Sequence, residues 1–525
     1  MLSLLTSPAE AGHYRCDRCY AGRAAACKHP LRAKIRLVAT RLTTIIVAAI
    51  VSATFIAGLI VGAQRDDASG PVDLIILNGK VYPGRGARLQ EALAVRGNQI
   101  LRVGTNREIK RLRRPQTVVL DAHGAAVVPG FNDAHVRLVD EALALDQIDL
   151  RDAMTPEDVV AFVRSFAEAD PARAWILGRA GNPTVFSQNA AVRRLLDDAV
   201  ADRPVFLVSA NNEIAWANSK ALETAGVTRR THTSRRSGVA RDSRTGEPSG
   251  LLTSKAIELV THVIPRPTDT EKIASLRTAI TEAHKRGLTS VQTVSRSDEE
   301  LDLLNEVREQ GELALRIYGS VEVSTDVTEK ALEALETIRG TFPDDPLIKA
   351  GGIDLICAEQ CEPAKLQHAV ALLDKHRWQI RVRAHDADAR GAIEAFEHAA
   401  SENPEPPRGR RHWVVDLDNV STGDLPDPLA DLEEAVANIG DGQLADESKP
   451  VPMAAVQAAI DASTSDAAYA SFDEQRKGTL ASGMLADIVV LSNDIFDNPS
   501  ERLKDASVAV TIFDGKIVYQ RAEFN

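Results

Sequence analysis

At 525 residues and 44% hydrophobic composition, the chain is long enough for one large domain with appendages or for two or three domains, and disorder of the whole is excluded. Its net charge of −12 argues against nonspecific binding of nucleic acid, but that charge is unevenly placed. Residues 1–70 hold nine Lys or Arg against four acids, whereas the remainder holds 53 against 70.

The basic head, residues 1–41, reads "CDRCYAGRAAACKHP" over Cys16, Cys19, Cys27 and His29. Three thiolates and an imidazole suit tetrahedral zinc, but the spacing is not that of a standard finger, so a small zinc knuckle and an unstructured basic tail both stand as readings. Residues 42–63, "LTTIIVAAIVSATFIAGLIVGA", are 22 uncharged residues. About 20 such residues cross a bilayer core as one helix. Eight cations precede this run and Asp66-Asp67 follow it, so the charge bias predicts a single-pass anchor in the cell (inner) membrane, with the head cytoplasmic and the body outside. A signal peptide is the competing reading, weakened by a basic region of some 40 residues.

After a linker at 64–71, residues 72–127 alternate β-rich runs with Asn-Gly and Gly-Asn turns, and residues 479–525 show the same texture. The two ends are expected to form one composite, antiparallel β domain. Between them the pattern becomes strand then helix: "LTSVQTV" before "DEELDLLNEVREQG", "LALRIYGSVEV" before "EKALEALETIRG", "GGIDLIC" before "PAKLQHAVALLDKHR", and "QIRVRAH" before "ARGAIEAFEHAA". Such βα units imply a parallel sheet. With residues 128–138 as first strand and "HWVVDLDNV" as a later one, the fold class predicted for 128–478 is an α/β, distorted and incomplete (β/α) TIM-like barrel. Residues 150–265, rich in turns, read as a large insertion.

The segments "LNGKVYPG", "ALAVRGNQILRVG", "VVPGFNDAHV", "AWANSKALETAGV", "SGLLTSKAIELV" and "AAYASFDEQRKGTLASGMLADIVVL" resemble the amidohydrolase superfamily, specifically the branch that includes N-substituted formamide deformylase, over roughly residues 72–525. That resemblance implies a composite β-sandwich from the chain ends and a barrel carrying one or two metals at the C-terminal ends of its strands. It also assigns the ligand positions, and there this chain departs. Where the family has His-x-His, this chain has His135-Val136-Arg137; the Lys position is taken by Asp354, the next His position by Arg383 with His385 two residues on, the following one by Asp416, and the catalytic Asp by Asp424, only about eight residues later. That interval is too short for an intervening strand, helix and strand. A guanidinium offers no lone pair to a metal.

Two readings of these substitutions follow. Arg137 and Arg383 either replace the ion in a salt-bridge network with Asp354, Asp416 and Asp424, or they record drift at a released site. The first implies a membrane-anchored amidohydrolase-like protein without catalytic metal, serving a structural or binding role, such as accessory subunit of a membrane complex. The alternatives are a metal-dependent hydrolase of non-peptide carbon–nitrogen bonds, with His135, Asp354, His385 and Asp416 on one ion, and an anion receptor with Arg137 and Arg383 free at the barrel mouth. No cofactor is expected in the barrel, and zinc is possible only in the head. Glu213 reads as a loop acid, Gln292 as a structural side chain, and His284, His368, His376 and His398 as surface or satisfied residues on helices. Cys357 and Cys361 read as buried fillers or a local disulfide, and no P-loop or nucleophile elbow is present.

Overall fold

Alternation of apolar and polar side chains along five successive βα repeats decides which face of each strand meets the helices. In the computed structural model the barrel strands are β1 (Phe131–Val136), β2 (Leu288–Ser295), β3 (Arg316–Ser324), β4 (Ile348–Ile356), β5 (Gln379–Ala384) and β6 (Trp413–Asp416). They form one all-parallel six-stranded sheet in the order β6-β5-β4-β3-β2-β1, a curled half-barrel. The structure describes residues 71–524 apart from 188–191, 232–237, 343–344, 357–361, 385, 417–426, 433–451 and 498–501. The head, the apolar run 42–63, His385, Asp424, Cys357 and Cys361 therefore lie outside the described residues. Among those described, no helix is long and apolar enough to cross a membrane.

Helices α1 (Asp269–Lys285), α2 (Asp298–Glu309), α3 (Glu329–Thr341), α4 (Pro363–Lys375) and α5 (Asp386–Glu402) alternate with these strands. Leu276 and Ile280 of α1, Leu304 and Val307 of α2, Leu332 of α3 and Leu366 and Val370 of α4 share one core with Val291, Ile317, Ile353, Leu355, Ile380 and Val382. Because Ile353 and Leu355 face these helices, Asp354 between them points to the opposite, inner face. The same alternation turns Arg381 and Arg383 inward, flanking Val382.

Both chain ends contribute to the β layers beside the barrel. Strand Ala126–Pro129 pairs antiparallel with Ile488–Leu491, which continues into Val508–Phe513 and Lys516–Gln520. A second sheet carries Leu74–Leu77 between Ala92–Arg96 and Val118–Asp121. Leu74, Ile76, Leu93 and Leu120 of that sheet pack in one core with Val127, Ile488, Val490 and Ile512 of the first. These sheets are mixed, where turn chemistry had predicted antiparallel pairing: Leu74–Leu77 runs parallel to Val118–Asp121, and Lys80–Val81 parallel to Ala126–Pro129. The helical turn Asn106–Lys110 and its flanking loops give the chain room to return in the same direction.

Residues 150–265, expected to be turn-rich, carry most of a six-stranded sheet with Ile148–Asp149 at one edge and Val239–Arg241 at the other. Its core includes Trp216, stacked on Phe186 and donating its indole N–H to the Phe186 carbonyl at 2.9 Å. Gly130 marks the passage from the β layers into the barrel: a Cβ there would stand 2.2 Å from Thr289 Oγ1, so a larger residue would separate β1 from β2.

Candidate functional site at the strand ends

Register fixes the floor of the site. Glu322 of β3 stands opposite Asp354 of β4, and Asp354 opposite Arg381 of β5, so three charged side chains form one inward row. Arg383 lies two residues further along β5, and His135 and Arg137 stand at the end of β1. These are the C-terminal ends of parallel strands, where barrel enzymes assemble their chemistry.

Arg383 donates both Nε and Nη2 to Asp354 Oδ2, at 3.0 and 2.8 Å, and the Asp354 side chain is fully buried. Arg137 Nη2 donates to Glu322 Oε2, whose same oxygen lies 4.0 Å from Arg383 Nη1. Arg137 had been expected to pair with Asp354, Asp416 or Asp424; its partner among the described residues is Glu322. The reason is register, since β3 lies nearer to β1 than β4 does. Asp416 closes β6 opposite Ala384, and Asp424 falls outside the described residues.

His135 sits among these charges with Nδ1 unpartnered among the described residues. Its pKa is lowered to about 4, first by burial and then by the guanidiniums of Arg381, Arg383 and Arg137, with Asp354 acting in the opposite sense. Its backbone N–H donates to Asp133 Oδ1 at 2.5 Å, and burial raises the Asp133 carboxyl against that bond. Arg381, 1% exposed, crosses the half-barrel to donate Nη1 to the Ala134 carbonyl at 3.2 Å, while its guanidinium lies 5.7 Å from the Trp413 ring.

Arg381 and Glu322 are the two members that sequence reasoning missed. Arg381 carried a signal, being two residues before Arg383 and hence on the same strand face. Glu322 stood near the C-terminal end of a predicted strand, but its pairing needs the register. The remaining candidates take ordinary roles. Gln292 Nε2 donates to the Ala467 carbonyl at 2.9 Å, buried His284 places Nε2 2.7 Å from the Ala314 carbonyl, and exposed Glu213 accepts from Asn211 at 2.9 Å. His368 is exposed, and His376 and His398 approach glutamates at the surface.

Among the described residues, the donor set at these strand ends does not fit a divalent ion. Zinc at a catalytic site takes about three protein ligands with lone pairs and keeps one position open. Here one Asp354 oxygen is held by a two-pronged guanidinium, the Glu322 carboxylate is engaged by Arg137, and two positions where the resemblance implies nitrogen ligands are permanently protonated. Among the described residues, no three His, Cys, Asp or Glu side chains gather as a metal would need.

The amidohydrolase family model matches residues 118–440 and 416–519. The chain is 23% identical to the putative amidohydrolase YtcJ of Bacillus subtilis, over 82% of this chain and 96% of that protein. It is 24% identical to Protein LONG AFTER FAR-RED 3 of Arabidopsis thaliana, over 85% and 91%, and 32% identical to the N-substituted formamide deformylase of Arthrobacter pascens over 36% and 35%. A solved structure, an uncharacterized metal-dependent hydrolase from Pyrococcus furiosus, superposes with a TM-score of 0.57 at 17% identity, over 79% of this chain and 98% of that one, a likeness of fold. Half-barrel, composite β layers and family match together show that the chain belongs to the amidohydrolase family.

Proposed function

We propose that this protein is a non-hydrolytic member of its family, in which Arg137 and Arg383 take the place of the catalytic metal and the barrel serves as a binding or structural body. The observation that carries this reading is the two-pronged bond of Arg383 to buried Asp354, next to Arg137 on Glu322. Two guanidiniums neutralise the two carboxylates that an ion would otherwise have to bind, so no divalent cation is needed to offset buried negative charge. Without a Lewis acid, none of the described side chains at these strand ends lowers the pKa of a water toward neutrality. The neutral imidazole of His135 is in the right protonation state to ligate a metal but, among the described residues, lacks partners in the same state.

In this proposal residues 42–63 anchor the chain in the cell membrane, residues 1–41 remain cytoplasmic, and the body works outside as accessory subunit of a membrane complex. The apolar run and its charge flanks support that placement. Metal content tests the central claim. Full-length protein with Cys16, Cys19 and Cys27 replaced by Ser, so that the head contributes no zinc, is expected to carry far less than one equivalent of any divalent metal. It is also expected to leave N-substituted amides unhydrolysed with or without added zinc. One equivalent of metal, lost together with hydrolysis on His135→Ala, would overturn the reading in favour of an active hydrolase of carbon–nitrogen bonds.

A further inference from the structure

Four buried or half-buried arginines of this chain can be compared by the edge of the guanidinium they use. Arg316 places Nε and Nη2 on the two oxygens of Asp487, at 2.6 and 3.0 Å. Arg410 does the same on Asp374, at 2.8 and 3.0 Å, and Arg383 sets both groups on Asp354. Arg381 is the exception. Its Nη1 is committed to the Ala134 carbonyl, but Nε and Nη2, which form the same carboxylate-binding edge, meet no hydrogen-bond partner among the described residues.

An ionised guanidinium with two orphan donors at 1% exposure is costly, because burial removes the water that would satisfy them. Further unpartnered polar atoms belong to side chains around it: Arg137 Nη1, His135 Nδ1 and Asp354 Oδ1. We propose that the Nε/Nη2 edge of Arg381, supported by Arg137, binds a small monocarboxylate inside the half-barrel, beneath the Arg137–Glu322–Arg383 ion pairs.

Two features select the ligand class. A guanidinium edge and a carboxylate match as two parallel N–H···O bonds, a geometry this protein already uses on Asp487 and Asp374. Charge agrees. Among the described side chains, Arg137 and Arg383 are ion-paired to Glu322 and Asp354, whereas Arg381 donates only to a backbone carbonyl and holds no carboxylate. A monoanion matches that one unpaired guanidinium, whereas a phosphate dianion would bring a second negative charge into a dry site. The proposal rests on the metal-free reading of the same strand ends and names the ligand class they accept.

Acetate is the probe. The melting temperature of the full-length protein is expected to rise with sodium acetate beyond its value in sodium chloride of equal ionic strength, since a ligand that binds the native state stabilises it by mass action. Arg381→Met is expected to abolish that rise. Arg381→Lys, which keeps the charge but not the fork, should weaken the apparent acetate affinity about tenfold. If neither variant folds, imidazole signals of His135 in the unmodified protein decide the matter, and they should shift with acetate at constant pH. No acetate-specific stabilisation in the unmodified protein, an equal response in Arg381→Met, an unmoved His135 signal, or a response to inorganic phosphate with none to acetate each overturns the proposal. Metal content of the same samples is read separately, so stoichiometric zinc would overturn the metal-free reading without being confused with a failure of acetate binding.

Discussion

Burial, then the guanidiniums of Arg381, Arg383 and Arg137, hold the His135 imidazole at about 4, so it is neutral in the folded protein at neutral pH. An unfolded chain binds a proton at this residue as pH falls below about 6.5. The unfolded state therefore carries more protons across the window from about 6.5 to about 4, and stability drops as the solution is acidified through it. Integrated over that window, one such group removes roughly 3 kcal/mol. His135→Asn keeps a polar side chain without the titration, and it should flatten this part of the stability–pH curve measured by urea unfolding. An unchanged slope would show that the imidazole is not held neutral. How far this site could be read from sequence follows from the kind of information each residue carries. Arg137 and Arg383 announced themselves by occupying positions where the resemblance implies nitrogen ligands, and Asp354 by falling on a predicted strand end. Glu322 as partner of Arg137 depends on strand order and register, which a single sequence does not encode locally.

Elements of the barrel are tied to one another by a few buried ion pairs whose loss should be felt well beyond the residue changed. At the start of β3, Arg316 is 4% exposed and holds Asp487 and Asp514, with its guanidinium 4.8 Å from the Phe513 ring. It thereby joins the barrel to the C-terminal β layer. Arg316→Met leaves Asp487 buried without its cation, and breaking a buried pair in this way costs about 3–5 kcal/mol; urea unfolding should register a loss of that size with an unchanged m-value. A second tie joins α4 to the loop before β6. Burial raises the Asp374 carboxyl, but hydrogen bonds from His412, Arg410 and Asn403 outweigh it and hold the pKa down at about 2. His412 accepts the Ile380 N–H on Nδ1, so its proton sits on Nε2, facing Asp374 at 3.0 Å. With the folded pKa below the unfolded one, this cluster contributes fully above about pH 4 and is lost as pH falls toward 2. Asp374→Asn should remove that acid-side loss and lower stability at pH 7, both measurable in one pH series of thermal unfolding. The helices and strands themselves were legible because each βα unit repeats a clear apolar period. The mixed pairing of the β layers was not, since local turn signals report hairpins and say nothing of strands that meet from distant parts of the chain.

At the scale of the whole molecule, chain order and spatial order are at odds in a way that makes the C-terminus part of the fold's foundation. Val508–Phe513 pairs with Ile488–Leu491, which pairs with Ala126–Pro129, the segment that leads through Gly130 into β1. The same strand receives the barrel directly: Thr511 donates its hydroxyl to the His284 carbonyl at 2.6 Å, and Asp514 accepts from Arg316 at 2.8 Å. Deleting residues 508–525 would strip the partner from one edge of Ile488–Leu491, expose Val489 and Val490, and remove one of the carboxylates that balance Arg316. Contacts divide the chain at Pro71, with residues 72–525 as one unit, so these losses fall on that unit as a whole. Truncation after Ser507 is therefore expected to abolish cooperative thermal unfolding and to render the barrel, not only the β layers, sensitive to brief proteolysis. A truncated protein that still protects α2 to α4 from protease would show that the half-barrel folds without its C-terminal support.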